Sequence, residues 1–457
     1  MTSPKKQDNP YVAPKASSPA SVDIDLPGER TPFDLRVRLA VMMFLQYFVQ
    51  GAFLPVVSLY LQTTLKFGPA ELGYFNAAMA LGPLAAPFFV GQLVDRRFAT
   101  QNVLSTFHFL GGILMLILWT QRGFWAVMIL GTVFSILYVP TMMVSNTLAF
   151  AHLKDRNRDF PIVRLFGTIG FIVPAWLIEP LWLSRFSGDA LDQQRGIVLL
   201  FAGVAGMIMA AYSLTLPNTP PVKTSGEYAP LAALRLLKQQ NFLVLVITTF
   251  IIGAVHQYFF TWNSPFLKSI LSEGKINAAY EQRISSIGQV AEIAVMAGLG
   301  MMLIKLGFKR TMLIGGLAYM LRCVILAVSA SMSEPFAARM GLACLGQSLH
   351  GFCFGCFLAA AFMYVDRESP KDLRGSAQTL YGTLVLGIGF FLGGLIGGWI
   401  GEATGNVVLL SIDDRDASFT VPNYSIIWLS GAAIAAVGCV FFALFFPSDR
   451  LADKAQG

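Results

Sequence analysis

Hydrophobic positions along this chain run in long stretches that short polar connections separate. A membrane-spanning helix needs about 20 consecutive, mostly apolar residues, and twelve stretches of the sequence approach or exceed that length. We number them as spans 1 to 12, at approximately residues 36–62, 70–93, 101–119, 124–148, 161–183, 195–216, 241–267, 284–305, 310–331, 336–365, 376–401 and 424–447. The pattern predicts an all-α membrane protein with twelve transmembrane helices.

The polar segments predict how these spans are grouped. The longest internal one, residues 217–240, divides the twelve spans into six and six. The first 35 residues are rich in Pro, Ser and charged residues, which is typical of disorder. We therefore expect a disordered cytoplasmic tail (1–35), an N-terminal six-helix bundle (36–216), a cytoplasmic linker (217–240), a C-terminal six-helix bundle (241–447) and a cytoplasmic tail (448–457).

Composition and charge agree with this organisation. Hydrophobic residues make up 55% of the chain and charged residues 13%, about half the charged fraction of a soluble protein. With both termini in the cytoplasm, the cytoplasmic segments hold 22 Lys and Arg residues and the outer loops nine. That bias orients membrane proteins, so it accounts for the net charge of +7. We expect a multi-pass protein of the cytoplasmic (inner) membrane, in contact with lipid and without a nucleic-acid partner.

Span 5 contains an unusual charge. In DFPIVRLFGTIGFIVPAW, Arg164 lies about one turn inside the span, and Thr168 and Phe171 follow at i+4 and i+7. These three side chains share one helical face. A guanidinium in hydrocarbon costs several kcal/mol unless it faces a partner or water. The segment therefore predicts a polar cavity inside the membrane protein.

The connection between spans 2 and 3 carries a known type of motif. It reads GQLVDRRF, which includes Asp95 and Arg96. This resembles the G-x-L-x-D-R signature of the major facilitator superfamily, whose fold has two six-helix bundles. The resemblance implies a gating role for Asp95 and Arg96 at the cytoplasmic side.

Four further segments narrow the resemblance. They are FSILYVPTMMVSNTLAF in span 4, DFPIVRLFGTIGF in span 5, QVAE in span 8 and SPKDLRGSAQ before span 11. Over residues 36 to 447 the chain resembles the bacterial nucleoside–proton symporters of that superfamily. The resemblance implies nucleoside binding between the bundles and uptake coupled to inward proton flow.

The same resemblance implies a set of substrate-binding residues: Arg164, Thr168, Phe171, Gln257, Gln289 and Glu292. Their chemistry suits a nucleoside, because glutamine amides both donate and accept hydrogen bonds and a phenylalanine ring offers a surface for a base. Gln289 and Glu292 also share a helical face. Three alternatives stay open. Gln257 could form an interhelical hydrogen bond, Arg164 could be a cytoplasmic anchor, and Phe171 could face lipid or belong to the ordinary core.

Span 10 departs from the family. Where members carry an aspartate implicated in proton coupling this chain has Gly355, and His350 replaces a tyrosine. In span 7, Phe260 stands at a family asparagine. Glu292 and His350 are therefore the proton-coupling candidates. The alternatives are an uncoupled facilitator, a transporter of a sugar or another small polar metabolite, and a non-transporting membrane receptor.

Other chemistry finds little support in the sequence. No phosphate-binding G-x-x-x-x-G-K-[ST] loop and no nucleophile elbow occurs, so we predict neither an ATP-driven pump nor an enzyme. His350, Cys353 and Cys356 recur at three-residue spacing, but a soft-metal site needs a fourth ligand. We predict no metal, no cofactor and a monomer.

Overall fold

The computed structural model describes residues 30–85, 98–221, 234–369, 374–412 and 415–447. Within them, ten helices are long and apolar enough to cross a membrane. Two features account for the difference between these ten helices and the twelve predicted spans. One of the ten, Ala278–Ser331, covers spans 8 and 9 together, and the described part of span 2 is too short to be included.

The first half of the chain contains spans 1 to 6. Span 1 is broken into two helices at Pro55, whose nitrogen has no hydrogen to donate. The helices are Phe33–Phe53 and Val57–Thr63 (span 1), Pro69–Met79 (span 2), Thr100–Thr120 (span 3), Phe124–His152 (span 4), Arg156–Leu181 (span 5), and Gly188–Gln194 with Ile197–Ser213 (span 6).

The second half contains spans 7 to 12. Spans 10 and 11 each include a π-helical stretch, a feature that is frequent at functional sites. The helices are Gln240–Glu273 (span 7), Glu281–Ser331 (spans 8 and 9), Phe336–Ser348, His350–Phe352, the π-helix Cys353–Ala359 and Ala360–Glu368 (span 10), Arg374–Gly382, the π-helix Thr383–Gly389 and Phe390–Thr404 (span 11), and Tyr424–Phe445 (span 12).

Two details differ from the sequence-based prediction. Spans 8 and 9 follow each other without a loop, because the chain reverses at Gly307, whose φ of 75° lies in the left-handed region that glycine adopts without a steric penalty. A β-hairpin that we did not predict joins spans 11 and 12. Its strands, Asn406–Ile412 and Arg415–Val421, pair antiparallel with Asn406 opposite Val421.

Close helix crossings hold the two halves of the chain together. At the crossing of span 2 with span 11, a methyl group on Gly398 would lie 2.6 Å from the Cα atom of Gly73 and 2.9 Å from the carbonyl oxygen of Pro69. Membrane helices associate through such small residues because lipid supplies no hydrophobic drive between them. The two helices can cross this closely because Gly73 and Gly398 have no side chain.

This crossing generates a prediction. Gly398→Ala should lower the thermal unfolding temperature in detergent, because overpacking costs about 1–3 kcal/mol. Gly300→Ala is the matched control, since nothing lies within 4 Å of a methyl group there and alanine is the better helix former. Equal unfolding temperatures for the two variants would contradict the close contact of Gly398 with span 2.

Candidate functional site

A narrow cleft lies between the two halves of the chain. Its volume of about 10 Å³ has room for roughly one water molecule. One wall comes from spans 1 and 5 and is apolar, and the other comes from span 8 and is polar. The lining residues are Pro55, Phe171, Ile172, Ala175, Gln282, Ser285, Ser286 and Gln289.

Span 5 carries the three residues that the sequence singled out, and one of them lines the cleft. Phe171 lines the cleft, and Thr168 is half-buried one turn earlier on the same helix. The guanidinium of Arg164 lies 4.2 Å from the ring centroid of Tyr47 in span 1. Gly167 permits this contact, since a methyl group there would lie 2.7 Å from Nη1 of Arg164. The charge is thus packed as a cation–π pair against a neighbouring helix.

The span 8 wall is a polar stripe that sequence reasoning only partly found. Gln282, Ser285, Ser286 and Gln289 line the cleft, and Glu292 continues the stripe by one turn. Their spacing of three to four residues puts them on one helical face. That spacing is readable in the sequence. Gln282, Ser285 and Ser286 were not predicted, because serine and glutamine near a span end also suit an ordinary polar helix terminus.

Two hydrogen bonds connect this stripe to the other half of the chain. Gln282 Nε2 donates to the carbonyl oxygen of Gly51 at 3.2 Å. Trp176 Nε1 donates to Ser286 Oγ at 3.1 Å. Both walls are therefore joined directly at the cleft, and widening it requires these bonds to break.

A second layer of amides lies behind the stripe. Asn263 Nδ2 donates to Ser285 Oγ at 2.9 Å, and Gln347 Nε2 donates to Asn263 Oδ1 at 2.7 Å. All three residues are buried, and Oε1 of Gln347 has no hydrogen-bond partner among the described residues. Spans 7, 8 and 10 are thereby linked into one polar layer. No periodic pattern in the sequence predicts this layer, because its residues come from three different helices.

Gln257 does not line the cleft. Its Nε2 donates to Asn76 Oδ1 at 3.0 Å, and Asn76 Nδ2 donates to Ser58 Oγ at 3.2 Å. Span 7 is thus bonded to span 2 of the other half. In this conformation Gln257 makes the interhelical contact that we considered as one of its two roles.

Glu292 and His350 lie side by side. His350 Nε2 is 3.8 Å from Glu292 Oε2. Span 8 and span 10 cross closely here, because a methyl group on Gly351 would lie 2.7 Å from the backbone of Ala291. Gly355, at the position of the family aspartate, packs against Val295 of the same span 8. Of the other predicted residues, Asp95 and Arg96 lie outside the described residues.

A cluster of buried charges joins the two halves at one end of the molecule, which we call the closed end. Arg195, at the start of span 6, is fully buried. Its Nε donates to Asp192 Oδ1 at 3.0 Å and its Nη1 to Glu281 Oε1 at 3.3 Å. Lys268 Nζ donates to Asp192 Oδ2 at 2.5 Å, and Ser264 Oγ donates to Glu281 Oε2 at 2.5 Å. Two cations thus balance two anions.

A second ion pair extends the closed end toward the cleft. Arg283 of span 8 pairs with the buried carboxylate of Glu179 in span 5. The guanidinium of Arg283 also lies 5.1 Å from the ring centroid of Trp176. We did not predict either charge cluster, since the pairs that join the two halves of the chain, Lys268–Asp192, Arg195–Glu281 and Arg283–Glu179, are 76 or more residues apart in the sequence.

Comparison with known proteins identifies the family. The family model described as "Nucleoside H+ symporter" matches residues 33–450. The chain belongs to the nucleoside H+ symporter family. Members of this family are transporters rather than enzymes, so the predicted absence of enzymatic activity is confirmed.

Relatives of known sequence cover nearly the whole chain. YegT of Escherichia coli (strain K12) is 30% identical over 90% of this chain and 93% of its own. The xanthosine permease of the same organism is 26% identical over 92% and 98%. These bacterial relatives, with the apolar helices, confirm a multi-pass protein of the inner membrane.

Solved structures confirm the fold. The crystal structure of the nucleoside transporter NupG superposes with a TM-score of 0.77 at 23% identity, covering 91% of this chain and 100% of that one. A D-xylose–proton symporter superposes with a TM-score of 0.69 at 13% identity, covering 91% and 98%. The predicted all-α, major facilitator fold is confirmed.

The closed end generates a stability prediction. Arg195→Met should lower the unfolding free energy by about 3–5 kcal/mol, because it leaves a buried carboxylate without its partner. The double variant Arg195→Met with Glu281→Met should recover most of this loss, since it removes both charges and leaves Asp192 paired with Lys268. Thermal unfolding in detergent measures both. If the double variant is as unstable as the single one, the loss of stability does not come from an unpaired Glu281 carboxylate, and the prediction is wrong.

Proposed function

We propose that the chain imports nucleosides across the cytoplasmic membrane by proton symport with alternating access. The observation that carries this proposal is the cleft between the two halves, where an apolar wall faces a polar stripe that ends in a carboxylate. Transporters of this type bind substrate at the interface of two helical repeats and expose it to each side in turn. Family membership supports the same function.

The walls of the cleft suit the two parts of a nucleoside. Phe171 offers a ring face for the base, an interaction worth about 0.5–1.5 kcal/mol in aromatic pairs. The amides of Gln282 and Gln289 can donate to and accept from base edges and ribose hydroxyls. Arg164 and Thr168 extend the span 5 face, and Gln257 joins the site after its bond to Asn76 breaks. A cavity of about 10 Å³ is too small for a nucleoside, so binding must separate span 5 from span 8.

The orientation of the chain in the membrane decides which side of the membrane the closed end faces. The Lys and Arg bias supports cytoplasmic termini, in which case the closed end faces outward. The cluster around Arg195 and the Glu179–Arg283 pair then form the outer gate. For the cytoplasmic side, the family resemblance implies Asp95 and Arg96 as the gating residues.

Glu292 is the proton carrier in this proposal. A carboxylate at membrane depth marks an ion or proton path by default, and Glu292 adjoins both the cleft stripe and His350. Gly355 supplies no alternative carboxylate. The transporter works as a monomer in lipid, with nucleosides and protons as its partners and without a cofactor, metal or nucleic acid.

Transport measurements test this function. We expect purified protein in proteoliposomes to accumulate labelled uridine or adenosine above equilibrium when an inward proton gradient is imposed. Glu292→Gln should abolish the accumulation and retain exchange of nucleoside across the membrane, because a glutamine cannot carry the proton. Absence of uptake and of thermal stabilisation by any nucleoside would refute the substrate. Stabilisation by sugars instead would support the alternative that Phe260 suggests.

The polar stripe gives a second prediction. Gln289→Ala should raise KM for nucleoside uptake by about ten- to hundredfold, because a hydrogen bond to substrate is lost in a desolvated site. Gln240→Ala is the control, since Gln240 is exposed at the start of span 7. Initial uptake rates over a range of nucleoside concentrations measure KM. An unchanged KM for Gln289→Ala would remove this residue from the site.

A further inference from the structure

Arg322 is a buried cation to which neither the sequence nor the proposed transport path gives a role. It lies in span 9 with 2% of its surface exposed. Its guanidinium carbon is 3.4 Å from the ring centroid of Phe259. Its Nη1 donates a hydrogen bond to His350 Nδ1 at 2.9 Å. A charge in this position costs several kcal/mol unless it is partnered, so the contact with His350 needs an explanation.

The chemistry of the two groups determines where the proton of His350 lies. A guanidinium has only donors and does not deprotonate in proteins. Nδ1 of His350 must therefore be the acceptor, and a neutral imidazole that accepts at one nitrogen carries its proton on the other. The proton is on Nε2, the nitrogen that lies 3.8 Å from Glu292 Oε2.

We propose that Arg322 is a positioning residue for proton coupling: it holds His350 as the neutral Nε2–H tautomer, which presents a donor to Glu292. The coupled proton then resides on a carboxyl oxygen of Glu292 and not on His350. This inference rests on the proposed symport, and it gives His350, the second proton-coupling candidate, the role of a neutral hydrogen-bond donor.

The arrangement serves both protonation states of Glu292. An ionised carboxylate accepts from Nε2–H, and a protonated carboxyl still has an oxygen that accepts. The distance of 3.8 Å is longer than a hydrogen bond, so a small movement of the Glu292 side chain makes the contact. His350 keeps one tautomer while the proton enters and leaves Glu292.

The surroundings oppose a second proton on His350. That proton would have to take Nδ1, break the bond from Arg322 and place two cations side by side. The ring also stacks on His256 of span 7, with centroids 5.7 Å apart. The charge of Arg164 acts on Glu292 from span 5. The charged and titratable groups around the pair are Arg164, His256, Tyr319, Arg322 and Cys353.

Helix packing keeps the ring in place. A methyl group on Gly288 of span 8 would lie 2.9 Å from His350 Cβ, and one on Gly351 would lie 2.7 Å from the backbone of Ala291. Spans 8 and 10 therefore touch backbone to backbone beside the ring. The ring also stacks on those of Phe259 and His256, with centroids 5.3 and 5.7 Å away. Because this packing holds the ring with Nε2 toward Glu292, the donor on span 9 decides which nitrogen carries the proton.

Nitrogen NMR tests the tautomer directly. The full-length protein is prepared in detergent with ¹⁵N-labelled histidine, and His350→Gln identifies the signal of His350 among four histidines. We expect the neutral Nε2–H form from about pH 5 to 8, the range in which an unperturbed histidine titrates. A doubly protonated His350 in that range, or a proton on Nδ1, would overturn the proposal.

Two matched variants test the role of Arg322. Arg322→Lys keeps a donor of similar reach, and Arg322→Met keeps the length without a donor. We expect the Nε2–H form to persist in the lysine variant and mixed tautomers in the methionine variant. Gradient-driven uptake should fall about ten- to hundredfold in the methionine variant only, the cost of one charge-assisted hydrogen bond. Nucleoside exchange should persist in both, because the cleft itself is unchanged.

The outcomes separate this inference from the proposed function. The tautomer is measured without substrate, so a wild-type protein that shows Nε2–H but transports no nucleoside refutes the function and leaves the position of the proton intact. If the wild-type protein transports nucleosides and Arg322→Met accumulates them to the same level, the inference is overturned. The inference is also overturned if the pH profile of uptake follows a titration of His350.

Discussion

The cost of an unpartnered charge in a low-dielectric interior governs the arrangement of this molecule. The buried guanidiniums have partners that satisfy or balance them. Arg195 bonds to Asp192 and Glu281, and Arg322 bonds to His350 and packs on Phe259. These partners belong to different spans, so each charge holds helices together that the lipid would otherwise leave free to separate.

The same constraint connects packing to transport. The network at Arg195 and the Glu179–Arg283 pair join the two halves of the chain beside the cleft. Both are balanced in charge, which makes the closed end stable as a unit. Opening the end would expose these ions to water, and water replaces the lost partners. The outer gate that we propose can therefore open with a smaller change in free energy than the burial of single, unpaired charges suggests.

Glycine positions decide how closely the side chains of the candidate site approach one another. Gly167 lets Arg164 lie on Tyr47, and Gly288 with Gly351 brings His350 to Glu292. At the position where the family has an aspartate, Gly355 packs against span 8 instead. The polar functions of this chain are thereby concentrated on span 8 and its direct neighbours. Glu292 remains the carboxylate at the junction of the cleft and the Arg322–His350 pair.

The sequence by itself determined the spans, the fold class and the family, because apolar length, helical spacing and short motifs are local properties of the chain. It also indicated the face of Arg164 and Phe171 and the pair Gln289–Glu292, whose members share one helix. Only the tertiary structure decided that Gln257 bonds to Asn76, that Arg195 meets Glu281 and that Arg322 donates to His350. Those pairs join residues of separate helices, and no periodicity within one helix specifies which side chains of another it meets.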